Sequence, residues 1–501
     1  MTTILRRMIC AAWVAALIVA LLATTASAQK TLGIIADDAI LPGDMSAVIV
    51  FDADTDTVIG TIFIPRPGTP LLGVRDAEIV ASQFVGLVST SGGNLWVIDL
   101  SSPTPTLAPG TNPIVVSSPA TDMAISPDDT FVVAVDGTTG IPPAFDAPPV
   151  SAANIAGRTQ VSTFETVQDN TGVDVCANSS VLIASFNGLA VRTLGLNGAG
   201  TLSDTGLSFA TDDPPHNIAC APGGVSGVVV GGPLGSNGIV QSFAVSTLTA
   251  VDTRTLSAET GQTPVFNPTG DRVFVRSAWG AVDAFAFNPA TGSLGAAPLV
   301  TIPINPFPDP DLGVVSHFGQ DLLAIHPNGS KLYVSEPNAV RVFDANSGAL
   351  LTSITHPNIT LPQGLAVKTL PNQSPVCTAV TVVPTTLWPP DHLLVPLTMT
   401  GATDPDGDPV TLSVTSVFQD EPVNEPGAGA GSTSPDAGLL PLAVRAERNG
   451  TGDGRVYHIA FTADDGKGGT CSGTTPVCVQ HDQGQGNSCI DGGPLFDSLN
   501  P

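Results

Sequence analysis

The stretch TDPDGDPV places Asp404, Asp406 and Asp408 at alternate positions about a glycine. A hard cation such as calcium takes about six to eight oxygens, and alternate carboxylates in a tight turn converge where consecutive ones point apart. Residue twelve counted from Asp404 is Thr415, so it is not an EF-hand loop; further oxygens are expected from Asp420 with Glu421, or from Asp464 with Asp465. A plain Asp-Gly hairpin turn is the competing reading. Asp52, Asp54 and Asp56 in FDADTDTVIG alternate in the same way, but the stretch aligns with FDANSGALLT and FNPATGSLGA, which carry few acids there. That set reads as a turn. Other candidates recur at one place in a repeat: Asp76, Thr121, Gly172, His216, Gln262, Asp321 and Gln363, with Arg75, Glu78 and Asp122 close by. Brought together, they form a ring able to hold a ligand or a cation, and His216 beside Asp76 or Asp321 is a candidate acid/base pair. Strand-connecting loops that are polar only because they are wet are the competing reading. No Gly-x-Ser-x-Gly elbow, phosphate loop or His-Glu-x-x-His occurs, and no two histidines have metal-ligand spacing.

The elements that must position this ring follow from the repeat itself. An apolar strand, a turn and a second strand recur through residues 30–370, most clearly in DMAISPDDTFVVAVDG, TPVFNPTGDRVFVRSAWGAVDAFAFNPATGSL and LLAIHPNGSKLYVSEPNAVRVFDANSGALLTSI. Aligned on one core position, the copies give Val80, Ile125, Cys176, Cys220, Phe266, Ile325 and Val367, and the ring residues stand four before it. The spacing is that of one four-stranded blade of a β-propeller. The last copy lacks its outer strands, and KTLGIIADD, SAVIVFDAD and DTVIGTIFIP near the start supply three. Pairing the two ends in one blade removes the free edge and predicts seven blades. In this frame His326 lies one step past the core position, at the exit of an inner strand and away from the ring.

These copies, above all IHPNGSKLYVSE…VRVFDANSGALLTSI and FAFNPATGSL, resemble the bacterial YVTN and lactonase-like seven-bladed propellers over roughly residues 30–370. The resemblance implies the fold and, as one possible activity, a lactonase-like hydrolase. A metal-dependent ring-opening site of that kind needs several carboxylates and a basic residue at the channel mouth. Residues 371–501 differ: VCTAVTVVPTTLWPPDHLLVPLTMTGATDPDGDPV and GRVYHIAFTADDGKGGTCSGTTPVCV give short strands between Pro and Asp-Gly turns, about as many as an immunoglobulin-like sandwich has. They resemble bacterial Ig-like and cadherin-like repeats, and this likeness makes calcium at the Asp-rich turn plausible. GAGAGSTSPDAG, residues 427–438, is expected to be a flexible excursion between strands.

Arg6 and Arg7 precede the apolar run MICAAWVAALIVALLA and the small-residue site ending at Ala28, the pattern of a cleaved signal peptide, with an uncleaved anchor as the alternative. Residues 1–28 are set aside on this reading, Cys10 among them, and no later stretch is long and apolar enough to span a membrane. Without it, 15 basic residues (17 − 2) face 44 acidic ones, a net charge near −29, which excludes nucleic acid as a partner. Glycine and proline number 52 and 45 among runs of Val, Ile, Thr and Ala, an all-β composition. Six cysteines remain after residue 28, an even set that favours disulfides in an exported chain. Cys176 and Cys220 fall at one repeat position in consecutive blades, as a bridge or as two buried thiols. The Ig-like resemblance implies Cys377–Cys471, leaving Cys478–Cys489. Zinc, haem and quinone motifs are absent. The expectation is a secreted, periplasmic or surface protein, an all-β propeller with a C-terminal Ig-like sandwich. It acts in binding or display toward a protein or glycan, with calcium as the candidate cofactor and lactonase-like hydrolysis as the alternative.

Overall fold

The fold is described from a computed structural model, which covers residues 29–500 apart from 67–72, 91, 118, 137–148, 167–169, 234, 307–320, 424–432 and 485–488. The expected signal segment, His317 and residues 427–432 of the 427–438 excursion therefore lie outside the described residues. The chain divides into two compact units, Lys30–Pro371 and one holding Asn372–Pro501. Both are built from strands, with no α-helix among the described residues.

In the first unit the described residues form seven antiparallel sheets, six of four strands and one of five. Their first strands are Val74–Val80, Asp122–Ile125, Gly172–Val175, Pro215–Cys220, Gly261–Phe266, Leu323–Ile325 and, in the last sheet, Pro362–Thr369. Each touches the next around a closed cycle, an arrangement consistent with a propeller. An apolar cluster fills the space between each pair of neighbouring sheets: Val80, Leu87, Met123 and Val132 in one, Phe274, Val282, Leu332 and Val334 in another. Because a sheet here is covered on both faces, its strands need no polar alternation, which is why the repeat reads as solid apolar runs. The two ends of the unit share one sheet. Thr31–Leu41 runs antiparallel to Pro362–Thr369 with Leu32 opposite Lys368 and Ile34 opposite Ala366, and Met45–Asp52 and Thr57–Pro65 complete it.

The repeat's turn is held by one backbone bond, from the third turn residue to the residue after the first strand: Asp129 to Ser126, Gly224 to Ala221, Gly270 to Asn267 and Gly329 to His326. The donor sits in the left-handed region, with φ of 70° at Gly270 and 75° at Gly329, so glycine is favoured there. In the third copy the same bond runs from Ser179 to Cys176, and the turn is one residue shorter. This corrects the alignment: Val175, not Cys176, is the counterpart of Ile125 and Cys220, and Thr171 replaces Gly172 in the ring. Thr171 and Thr121 accordingly make the same contact, each N–H donating to the second strand of its own sheet at Ala184 and Val135. His326 is buried in the seam with the closing sheet, where its Nε2 lies 3.2 Å from Asp54 Oδ1. Lys331 Nζ donates to Asp56 at 2.8 Å and to the Ala53 and Asp54 carbonyls, so the alternate acids of FDADTDTV hold a lysine.

The second unit has a five-stranded sheet, in the order Thr386–Leu387, Thr470–Val479, Arg455–Asp464, Thr411–Gln419, Phe496–Asp497. A three-stranded sheet holds Leu394–Pro396, Leu442–Arg445 and Ala437–Leu439. Val417, Tyr457, Ile459 and Val477 of the first pack with Ala437 and Val444 of the second in one core. Ala437 and Gly438 thus belong to a strand, and Asp436 is fully buried, so the excursion ends sooner than the sequence suggested. Asp436 accepts from Arg455 Nη1 at 2.7 Å, and Glu421 faces Arg455 Nε at 3.2 Å. The disulfides are Cys176–Cys220 in the first unit and Cys377–Cys471 and Cys478–Cys489 in the second.

Candidate functional site

Asp76 and Asp122, on the first strands Val74–Val80 and Asp122–Ile125, and Asp321, just before Leu323–Ile325, bring three carboxylates of the predicted ring region together. One oxygen each from Asp76, Asp122 and Asp321 lies within 4.8 Å of the others. Asp76 and Asp122 are 0% and 1% exposed, whereas Asp321 is partly open to solvent. Two of the three side chains are aimed by backbone. Asp76 accepts the N–H of Ala77 at 2.7 Å and, across the sheet boundary, that of Met123 at 3.0 Å. Asp122 likewise accepts from Met123 at 3.0 Å and from Val173 of the following sheet at 2.7 Å. A first strand has no partner on its axial edge, so its N–H groups need another acceptor, and carboxylates provide it. Asp174 repeats the device, accepting from Cys220 N at 2.6 Å. Asp321 accepts from Asn217 Nδ2 at 3.4 Å. Asp122 stands three rather than four residues before its core position, one step outside the predicted ring frame.

Burial pushes all three carboxyls well above the usual carboxylate range, and their like charges add to it: Asp321 acts on Asp76, and Asp321 and Asp76 act on Asp122. Asp321 is raised by burial, then by Glu78 and Asp174. Two residues along the strand from Asp76, burial raises Glu78 to about 7, against the opposing pull of the Lys368 ammonium. Lys368 also acts on Asp174. Charge is therefore partly offset by a lysine at Glu78 and Asp174, while the leading influences on the trio are burial and other carboxylates. Lys368 was not singled out from the sequence, because its place in the repeat is also that of His326, Asn267 and Ser126, which do unrelated things.

The other predicted ring residues surround the trio without joining it. His216 Nδ1 donates to the Gly261 carbonyl at 3.0 Å, and its ring stacks on Phe186. Burial lowers its pKa to about 3, so the imidazole is neutral and does not supply a proton near pH 7. Gln262 accepts from Arg276 Nη1. Gln363 is the second residue of the strand Pro362–Thr369, and its neighbour Gly364 has no room for a side chain: a Cβ there would stand 2.5 Å from the Asp76 carbonyl carbon. Arg75, next to Asp76, forms an ion pair with Asp38 at 3.0 Å, which Arg66 shares at 2.7 Å.

The second unit holds the other acidic group. Oxygens of Asp404, Asp406 and Asp408 also lie within 4.8 Å of one another, on half-buried side chains. Most of their capacity is already used. Asp404 Oδ1 caps the N–H groups of Asp406 and Asp408, Asp406 accepts the Gln373 N–H and amide, and Lys467 Nζ lies 2.6 Å from Asp408. Asp404 Oδ2 is buried without a partner, and burial raises the Asp404 pKa. Asp420 is not near: it follows the strand Thr411–Gln419, whereas the loop precedes it, a strand length of roughly 30 Å away. Its carboxylate takes the N–H groups of Val456 and Gly492. Asp464 pairs with Thr411 at the loop's end of the sheet, but its Oδ1 caps Gly466.

No protein-family model matches the chain, and no curated protein matches it. Solved structures do. A protein of unknown function from Desulfotomaculum acetoxidans is similar with a TM-score of 0.55 and 20% identity, over 68% of this chain and 99% of its own. A candidate 6-phosphogluconolactonase from Bacteroides uniformis gives 0.51 and 14%, over 68% and 100%. Another, from Bacteroides fragilis, gives 0.50 and 12%, over 69% and 99%. At these identities the likeness speaks for the fold, a lactonase-like β architecture, and function has to be argued from the site.

Proposed function

We propose that this is an exported binding protein, a seven-bladed β-propeller followed by an Ig-like sandwich, whose axial mouth holds a divalent cation. The observation that carries the reading is the convergence of Asp76, Asp122 and Asp321 at a point where the leading influences on them are burial and then the charges of neighbouring carboxylates. Three oxygens and no sulfur or imidazole suit a hard ion such as calcium, with positions left for oxygens of a ligand. The backbone N–H groups on Asp76 and Asp122 act as the outer shell that fixes the carboxylates. The opening at Asp321 gives access. Three disulfides and the first 28 residues support export, and no helix among the described residues is long and apolar enough to cross a membrane. The ligand class is a protein or glycan at the cell surface.

The Asp404 loop is proposed as a weaker calcium position, because Lys467 already neutralises Asp408. A lactonase-like hydrolase is the second reading, favoured by the same three converging carboxylates. A cation held by Asp76, Asp122 and Asp321 would supply Lewis-acid polarisation of a lactone carbonyl, and neutral His216 takes no part as an acid.

Calorimetry of the full chain at pH 8 tests the proposal. Calcium is expected to bind, and Asp122→Asn to weaken that binding by more than about tenfold, as loss of a charged ligand does. Equal binding by both proteins would reject the axial site. Turnover of simple δ-lactones that disappears in Asp122→Asn would favour the hydrolase over the binding protein.

A further inference from the structure

The last residues of the chain do more than trail from the second unit. Phe496–Asp497 pairs with the end of Thr411–Gln419, with Gln419 opposite Phe496 and Phe418 opposite Asp497. The Gln419 carbonyl accepts the Leu495 N–H at 3.0 Å, and the Val417 carbonyl accepts the Ser498 N–H at 3.0 Å. On its other side the segment meets the smaller sheet: the Ser498 carbonyl accepts the N–H groups of Asp436 and Ala437, both at 3.0 Å. Ser498 Oγ donates to Gln419 Oε1 at 2.9 Å, and Ser498, Gln419 and Asp436 are all fully buried. Residues 495–498 therefore form a strap that closes the seam between the two sheets, covering an edge of each. Its hold is mostly backbone. Ile490, Leu495 and Phe496 are 65%, 62% and 36% exposed, so its apolar hold is mainly Leu499 at the margin of the core, and Cys478–Cys489 pins its near end.

We propose that the seam is a strand-docking site whose occupant in an assembly is the strap of a second copy of this chain, and that the Cys478–Cys489 bridge keeps the strap at home. The bonds are sequence-matched to residues 495–498, so an identical segment satisfies them equally, and a reciprocal exchange closes as a two-fold dimer. Removing the strap without a replacement leaves the N–H groups of Asp436 and Ala437 unpaired and opens two bare sheet edges, which is the condition that drives strand addition. Intramolecular docking wins while the pin keeps the strap's effective concentration high.

The test uses the full chain with Cys478→Ser/Cys489→Ser and a fluorescent peptide of residues 490–500. In the variant, amide exchange at Gln419, Ala437 and Ser498 is expected to quicken by about tenfold or more. The peptide is expected to bind the variant and not the wild type, and light scattering is expected to show a concentration-dependent dimer that the peptide dissolves. Unchanged exchange, or a dimer the peptide does not dissolve, overturns the proposal. If circular dichroism shows the variant unfolded, Leu495→Pro removes a strap bond with the bridge intact, and failure of the peptide to bind that protein overturns the proposal equally.

Discussion

The two aspartate triplets have the same composition and nearly the same spread of oxygens, yet they meet the problem of like charge differently. In the Asp404 loop the carboxylates are half-exposed and supplied with a lysine, a glutamine amide and the loop's own N–H groups. The axial carboxylates are drawn from separate sheets into a buried point, and the N–H groups that aim them do not cancel their charge. A count of acids treats the two alike. What separates them is the extent of burial, nearly complete at Asp76 and Asp122 and partial throughout the loop, and at the axis a proton or a cation must make up the difference.

The sharpest way to break this comparison is through the glycine each region depends on. Gly364→Val puts a branched side chain into the Asp76 backbone and is expected to lower stability by about 4 kcal/mol or more, seen in denaturant unfolding. Gly407→Ala only places a Cβ at φ 83° with the loop free to face solvent, and about 1 kcal/mol is expected. Acidity is the next test. Each axial carboxyl has a folded pKa above its unfolded value near 4. The contribution of these groups to the ion-free protein's stability is therefore fully present below that unfolded value and is lost as pH rises through the raised ones. Thermal unfolding between about pH 5 and pH 8 is expected to show this fall without divalent ions and to lose it with calcium present. A flat profile without calcium would put the charges of the trio somewhere other than the axis.

Neutralising one member of each set gives a smaller effect of opposite sign. Asp122→Asn keeps an acceptor for Val173 and removes a repelled charge, so the ion-free protein is expected to melt higher at pH 8. Asp408→Asn removes the partner of Lys467 and is expected to leave the melting temperature level or slightly lower. Smallest of all, Lys467→Ala breaks a half-exposed pair and is expected to change stability by less than about 1 kcal/mol while tightening calcium at the loop, read by calorimetry. In the same samples, nitrogen NMR is expected to show His216 neutral throughout the range above its pKa of about 3.

The β architecture was legible because its turns advertise themselves: Pro-Asn-Gly-Ser and Pro-Thr-Gly-Asp need a left-handed residue at a fixed place, and apolar runs flank them. The terminal strands were legible for the same reason, as a blade lacking three strands at one end of the sequence and three surplus strands at the other. The site was legible in kind and not in membership. Asp76 and Asp321 fell in the ring frame, but a turn shortened by one residue before Ser180 shifted the third copy, and Asp122 lies a step outside the frame. Lys368 and the buried Arg455–Asp436 pair gave no signal, since a charged residue in a strand reads as a surface position until its neighbours are known. The strap was hidden as well: DGGPLFDSLNP has no β-branched run, and its pairing comes from edges made elsewhere in the chain.

The shared terminal sheet also sets a clock on biogenesis. Thr31 and Thr369 are 338 residues apart where their side chains meet, against 44 between Cys176 and Cys220. Joining the longer span forfeits about 2 kcal/mol more chain entropy than joining the shorter one. It also waits until nearly the whole ring has been synthesised, so the strand Thr31–Leu41 spends that time with the edge opposite Met45–Asp52 bare. A nascent chain of this design stays open, and dependent on chaperoning, until residue 369 arrives; a truncation just before that point is expected to yield aggregates, whereas one after Leu370 has its ring complete.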